Sequence, residues 1–167
     1  MTKKEELFAS IYKDYRDKIY RICYGYIYQK DDVDDLFQEV MTNVWNSLDS
    51  FRGESQIGTW VYRVAVNSAI FYNRKFKNYQ SAKSNLFKEQ LGDEPIYDTT
   101  DPNSDRLNSL AKAISQLEKQ DRLIISLVLE GLPYEEIAEI VGITANYVGV
   151  KVSRIKNQLK NLLKDEQ

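Results

Sequence analysis

No stretch constrains this chain more than Asp34–Lys77, where two helical patterns meet at a glycine elbow. In the second pattern Ile57, Val61, Val64, Ala65, Ser68 and Tyr72 fall on one face at helical spacing. The opposite face carries Arg63, Asn67, Ile70, Arg74 and Lys77. A helix built this way turns one side to a core and offers the other to a polyanion. The elbow Phe51-Arg52-Gly53-Glu54-Ser55 lies beside the basic face, with Glu54 or Ser55 placed to cap the helix start. A solvated amphipathic helix has the same spacing, so the pattern alone leaves both DNA and plain solvent open.

Upstream, Glu5–Tyr28 reads as a helix with Leu7, Phe8, Ile11, Tyr15, Ile19, Ile22 and Tyr26 as its apolar stripe. Asp31 or Asp32 is expected to cap a second helix, about Val33–Leu48, that buries Val33, Phe37, Val40, Val44 and Leu48. Its other face presents Asp35, Gln38, Glu39, Thr42 and Trp45. A tryptophan among acids on an outer stripe suits a docking surface, although packing against a neighbouring helix explains it too. The run Asp31-Asp32-Val33-Asp34-Asp35 matches an aspartate pattern that holds magnesium in some enzymes. Compensation of the helix dipole explains acids at a helix start without a metal.

Several function classes are excluded or made remote. The chain has no histidine, which removes Ser-His and Cys-His dyads and histidine zinc sites. The single Cys23 excludes an internal disulfide and is read as a small buried residue. No run of about 18 apolar residues occurs, and the first residues lack a signal-peptide pattern, so a cytoplasmic protein without membrane insertion is expected. No catalytic residue, cofactor, metal or small-molecule substrate is assigned.

Net charge is −2, but it is unevenly spread. Residues 1–50 carry −3, 51–80 carry +4, 81–120 carry −2, 121–141 carry −4 and 142–167 carry +3. Two basic segments therefore sit inside an acidic chain, each on an expected helix. Local fields rather than the total decide how phosphate is met.

Residues 79–104, with Gly92, Pro95 and Pro102 and no sustained period, read as a flexible linker. Within it Leu86, Phe87, Leu91, Ile96 and Tyr97 are candidate apolar anchors for a partner's groove. Beyond it Leu107, Leu110, Ala111, Ile114 and Leu117 mark one helix and Arg122–Glu130 another. Gly131 ends that second helix, and Pro133 suits the first turn of the next. Ala138, Gly142 and Val148 then sit at helix-turn-helix spacing, with Ile137, Val141, Ile143 and Val152 as the motif's core. Thr144 caps a final helix that offers Asn146, Tyr147, Val150, Lys151, Ser153, Arg154 and Lys156 to a major groove. The fold expected is all-α, with two small helical domains, 1–78 and 105–167, joined by the linker.

Taken together these segments resemble the extracytoplasmic-function (ECF) group of sigma-70 family sigma factors. Asp35-Leu-Phe-Gln-Glu39 through Trp45 resembles region 2.2, and Phe51-Arg-Gly through Thr59-Trp-Val-Tyr-Arg-Val-Ala-Val-Asn67 resembles regions 2.3 and 2.4. Glu130-Gly-Leu-Pro-Tyr-Glu-Glu-Ile-Ala138, continued through Val148 to Lys156, resembles region 4.2. The resemblance implies that Asp35, Gln38, Glu39, Thr42 and Trp45 dock on the β′ clamp helices of core RNA polymerase, while the second domain rests on the β flap. It implies −10 contacts from Phe51, Arg52, Gly53, Ser55, Gln56, Trp60, Arg63, Asn67, Arg74 and Lys75, with a flipped base held by the elbow and Asn67. It implies −35 contacts from Thr144, Asn146, Tyr147, Val150, Lys151, Ser153, Arg154 and Lys156, and an anti-sigma factor as inhibitory partner. Gly149 and Val150 depart from the family's usual basic and small polar residues, and Pro133 from a common capping serine. Two other readings remain: a stand-alone helix-turn-helix regulator, and a carboxylate enzyme built on the aspartate run.

Overall fold

The helix expected first begins two residues early because Thr2 caps it. Its hydroxyl accepts from the Glu5 backbone N–H while Glu5 accepts from the Thr2 N–H, a reciprocal capping box. This computed structural model describes residues 1–83 and 102–166, with the backbone alone for 76–83 and 102. Among them the elements are α1 (Lys3–Ile27), α2 (Lys30–Ser47), a short 3-10 turn (Leu48–Ser50), α3 (Ile57–Lys83), α4 (Pro102–Ser115), α5 (Lys119–Leu129), α6 (Tyr134–Val141) and α7 (Ala145–Asp165), with no strand. Helix α3 thus runs past the expected domain limit at 78, and α4 starts before 105. The five candidate anchors from Leu86 to Tyr97 lie outside the described residues.

Helices α1, α2 and α3 pack on one another, and α4 to α7 form the second unit. The core of the first unit is Ile11, Ile19, Ile22, Cys23, Val33, Leu36, Val40, Val44, Val61 and Ala65, all at most 2% exposed. Leu36 and Met41 take the inward positions on α2, and Phe37, expected there, is only partly buried against Tyr20 and Tyr12. Leu7 and Leu107, read as core from their spacing, are exposed, and each falls near a helix start. Ala113 is buried where Ala111 was expected. Neither Asp31 nor Asp32 caps α2: Gln29 is at that position without a side-chain bond, and both aspartates lie in the first turn, where the helix dipole favours them. Likewise the Gln56 carbonyl accepts from the Trp60 N–H, so α3 starts after Glu54 and Ser55 rather than at them. Pro133 stands at the N-cap of α6, one place before the first turn.

The two units also pack against each other, α1 on α5 and α3 on α6, so their buried side chains are continuous. Gly25 makes the α1–α5 approach possible: a Cβ there would lie 2.4 Å from the Ser126 Oγ. Arg122 of α5 locks it. Its guanidinium donates to the Tyr26 carbonyl at 3.0 Å, to the Leu117 carbonyl at 2.9 Å and to the Ser115 carbonyl.

Replacing Arg122 with Met leaves those carbonyls without their cation, and unfolding free energy should fall by about 1–3 kcal/mol. Small-angle scattering should show a larger radius of gyration, and Lys at this position should not restore it, because an ammonium cannot present the guanidinium's fork. A second prediction concerns alkali. Burial pushes both the Cys23 thiol and the Tyr62 phenol up to about 12. The folded state therefore holds these protons more tightly than the unfolded chain does. Stability is complete below pH 9 and is lost as pH rises toward 12, starting with Cys23. Thermal melts between pH 8 and 11 check this, and Cys23→Ala should flatten the lower part of the decline.

Candidate nucleic-acid interface

The Thr144 hydroxyl accepts the Tyr147 N–H at 3.1 Å and starts α7, while Gly142 at φ +82° closes α6 and turns the chain between them. Ile137, Val148 and Val152 are buried at the helix crossing, Val141 and Ile143 partly so. This is a helix-turn-helix. On the outer side of α7 Asn146, Tyr147, Val150, Ser153, Arg154 and Lys156 are exposed, as the periodicity required. Lys151 differs. It forms an ion pair with Asp121 of α5 at 2.8 Å, both side chains at most 17% exposed, so it turns inward and holds α7 against α5.

On α3 the exposed stripe is Asn67, Ile70, Phe71, Arg74 and Lys75. Arg52, Gly53 and Gln56 of the elbow are exposed as well, and Ser55 is half-buried. Phe51 and Trp60, both half-buried, pack against each other with ring planes tilted by 50° and centroids 5.2 Å apart, and form an apolar base beside the elbow. Lys77, placed on the same face by spacing, has no described side chain. Arg63 is half-covered, its Nη2 donating to Glu139 of α6 at 3.0 Å. Next to it the buried Thr59 hydroxyl donates to Glu136 at 2.9 Å. At the far end of this contact Arg21 clasps Glu130 through two bonds of 2.6 and 2.9 Å.

The α2 stripe divides in the same way. Asp35, Gln38 and Thr42 are exposed and Glu39 is partly so. Trp45 packs edge-on against Phe8 at 5.3 Å with the Lys4 ammonium 4.7 Å over its ring. Its ring therefore belongs to the α1–α2 packing and is only partly buried. Around the aspartate run, Asp34 accepts from the Tyr20 hydroxyl at 2.8 Å, and no group of three or more His, Cys, Asp or Glu suited to a metal occurs among the described residues. No helix among them is long and apolar enough to cross a membrane.

The family model for Sigma-70 region 2 matches residues 11–78, and that for Sigma-70 region 4 matches residues 107–159. The chain belongs to the sigma-70 family, in its ECF group. It is 30% identical over 159 residues to the sigma factor SigV of Bacillus subtilis, covering 92% of this chain and 91% of that one. With the ECF sigma factor SigW of the same organism identity is 27% over 170 residues, covering 96% and 91%. The sigma factor RpoE of Bartonella quintana, solved with the anti-sigma factor NepR, superposes with a TM-score of 0.77 at 25% identity, over 96% of this chain and 98% of that one. CnrH, solved with the cytosolic domain of CnrY, gives 0.71 at 17% identity over 98% and 91%, a likeness of fold. As a sigma factor the chain binds RNA polymerase and recognises promoters.

Sequence reasoning missed two parts of the sigma factor's surface. Phe71, 62% exposed beside Asn67 and Arg74, was passed over, although its four-residue step from Asn67 put it on the basic face. The periodicity assigns no role to Glu136 and Glu139 of α6, and nothing in their spacing shows that they reach α3.

Proposed function

We propose that the exposed stripe on α3, with the elbow, contacts the −10 element, and that the outer face of α7 contacts the −35 element. Asp35, Gln38, Glu39 and Thr42 of α2 dock on the β′ clamp helices of core polymerase. The observation that carries this reading is the pairing of two exposed polar and basic helix faces with a separate acidic stripe in one chain. The elbow and Asn67 receive an unstacked base, and Arg74 and Lys75 meet phosphate. Trp45 supports the docking face from beneath and presents its edge. The family consists of non-catalytic initiation factors, and the sigma factor itself makes no bond. It works in the cytoplasm, where its relatives act on polymerase.

Arg63 is engaged by Glu139 in the arrangement described here, so the chain alone meets promoter DNA with one cation masked. The likeness to RpoE, solved with an anti-sigma factor, spans both units, and it supports an anti-sigma partner for this chain.

Run-off transcription with purified core polymerase tests the assignment: the wild-type chain should start transcripts from its promoters, and a chain that starts none would refute it. Gln38→Arg should lower affinity for core about tenfold or more with an unchanged melting temperature, as expected for a central interface residue. Glu139→Gln should release Arg63 and tighten binding of the free chain to single-stranded −10 DNA by about two- to fivefold, in line with an exposed ion pair. Fluorescence anisotropy reads the change, which should shrink as salt rises.

A further inference from the structure

The outer face of α7 is not uniformly polar. Asn146, Gly149, Val150, Ser153 and Arg154 follow one another at helical spacing, and together with Tyr134 of α6 they line an open notch of about 550 Å³. Its floor is apolar. Val150 is 40% exposed and Tyr134 37%, so an aliphatic side chain and an aromatic one share the centre of a face that otherwise carries hydrogen-bonding groups. The depth comes from Gly149. A Cβ there would sit 3.7 Å from Tyr134 Cε2 and 3.8 Å from its Cδ2, so any longer side chain would occupy the notch.

In the major groove three of the four bases present only donors, acceptors and ring edges, and thymine alone adds a methyl group. An apolar floor would desolvate a polar base edge without returning a hydrogen bond. A methyl group loses nothing there. The geometry points to a thymine-reading subsite: we propose that Val150 and the Tyr134 ring receive the C5-methyl of one thymine in the −35 element. Asn146, Ser153 and Arg154 around the rim bond to the adjoining base edges. This rests on the assignment of α7 to the −35 element and names what part of that helix selects.

The test uses holoenzyme, the full chain with core polymerase, to enrich a −35 sequence from a randomised duplex pool. Each thymine of the enriched element is then replaced singly by deoxyuridine, which removes one methyl group. One position should lose about fourfold in affinity, the value of one buried methyl. In holoenzyme carrying Val150→Ser that penalty should vanish while the protein's melting temperature is unchanged, and Gly149→Leu, by filling the notch, should also erase it. If every replacement is neutral although an element is enriched, the thymine subsite is wrong and α7 reads sequence in another way. A penalty that survives Val150→Ser places the methyl elsewhere and equally overturns it. Failure to enrich any −35 element removes the assignment of α7 itself, and the subsite falls with it.

Discussion

The relation between the two helical units depends on one arginine. The last turn of α1 carries no basic residue of its own, and its Tyr26 carbonyl meets the second unit. Arg122 supplies the missing cation from α5, and the same guanidinium also takes the last carbonyl of α4. Burial without a carboxylate partner holds its pKa below the usual range, yet an arginine stays charged. Helix ends favour a cation by their dipoles. Two such ends converging on one planar fork explain why this arginine needs no acid beside it. Gly25 and Ser126 then let the helix backbones close around it.

Once α1 lies on α5, the placement of α6 against α3 follows. The acidic segment 121–141 loses its character as surplus charge: Asp121 holds Lys151, Glu130 holds Arg21, Glu136 takes the Thr59 hydroxyl and Glu139 takes Arg63. These contacts differ in kind. Arg21, itself 58% exposed, holds the 8% exposed Glu130 side chain through two bonds, whereas the Arg63–Glu139 pair has one bond and side chains 37% and 55% exposed. Open pairs are worth at most about 1 kcal/mol and weaken in salt. The joint is therefore tied more closely at Arg122 and Glu130 than at Glu139, which pairs with the helix proposed to meet the −10 element.

The helices themselves were legible because apolar residues recur at helical spacing and turn glycines fall where φ is positive, as at Gly142. The Thr144 cap was readable to the residue. Starts set by a backbone carbonyl rather than a capping side chain were not: Gln29 and Gln56 carry no signal that separates them from nearby Asp32 and Ser55. Which stripe residues lose water was readable along the middle of helices and not near their starts, hence Leu7 and Leu107. Contacts between the units were invisible, since Arg122 and Glu139 fit an exposed helix face as well as a joint. The same holds for Trp45, whose partners Phe8 and Lys4 lie on another helix. Among candidate DNA contacts, Lys151 was misplaced because a pattern gives a side chain's direction and not the acid waiting beneath it.

The largely covered Lys151 bears on how α7 is presented. A lysine on the outer face would add phosphate attraction common to every sequence. Turned inward against Asp121, it instead fixes the rotation of α7 about its own axis, with Val148, Val152, Ile155 and Leu159 as the packed side. Rotation decides which residues face a groove, and one step of the helix moves a side chain by about 100°. Asn146, Val150 and Arg154 are held outward by this pair as much as by the hydrophobic stripe. The outer face gives up one charge and gains a fixed orientation for the groups proposed to read bases.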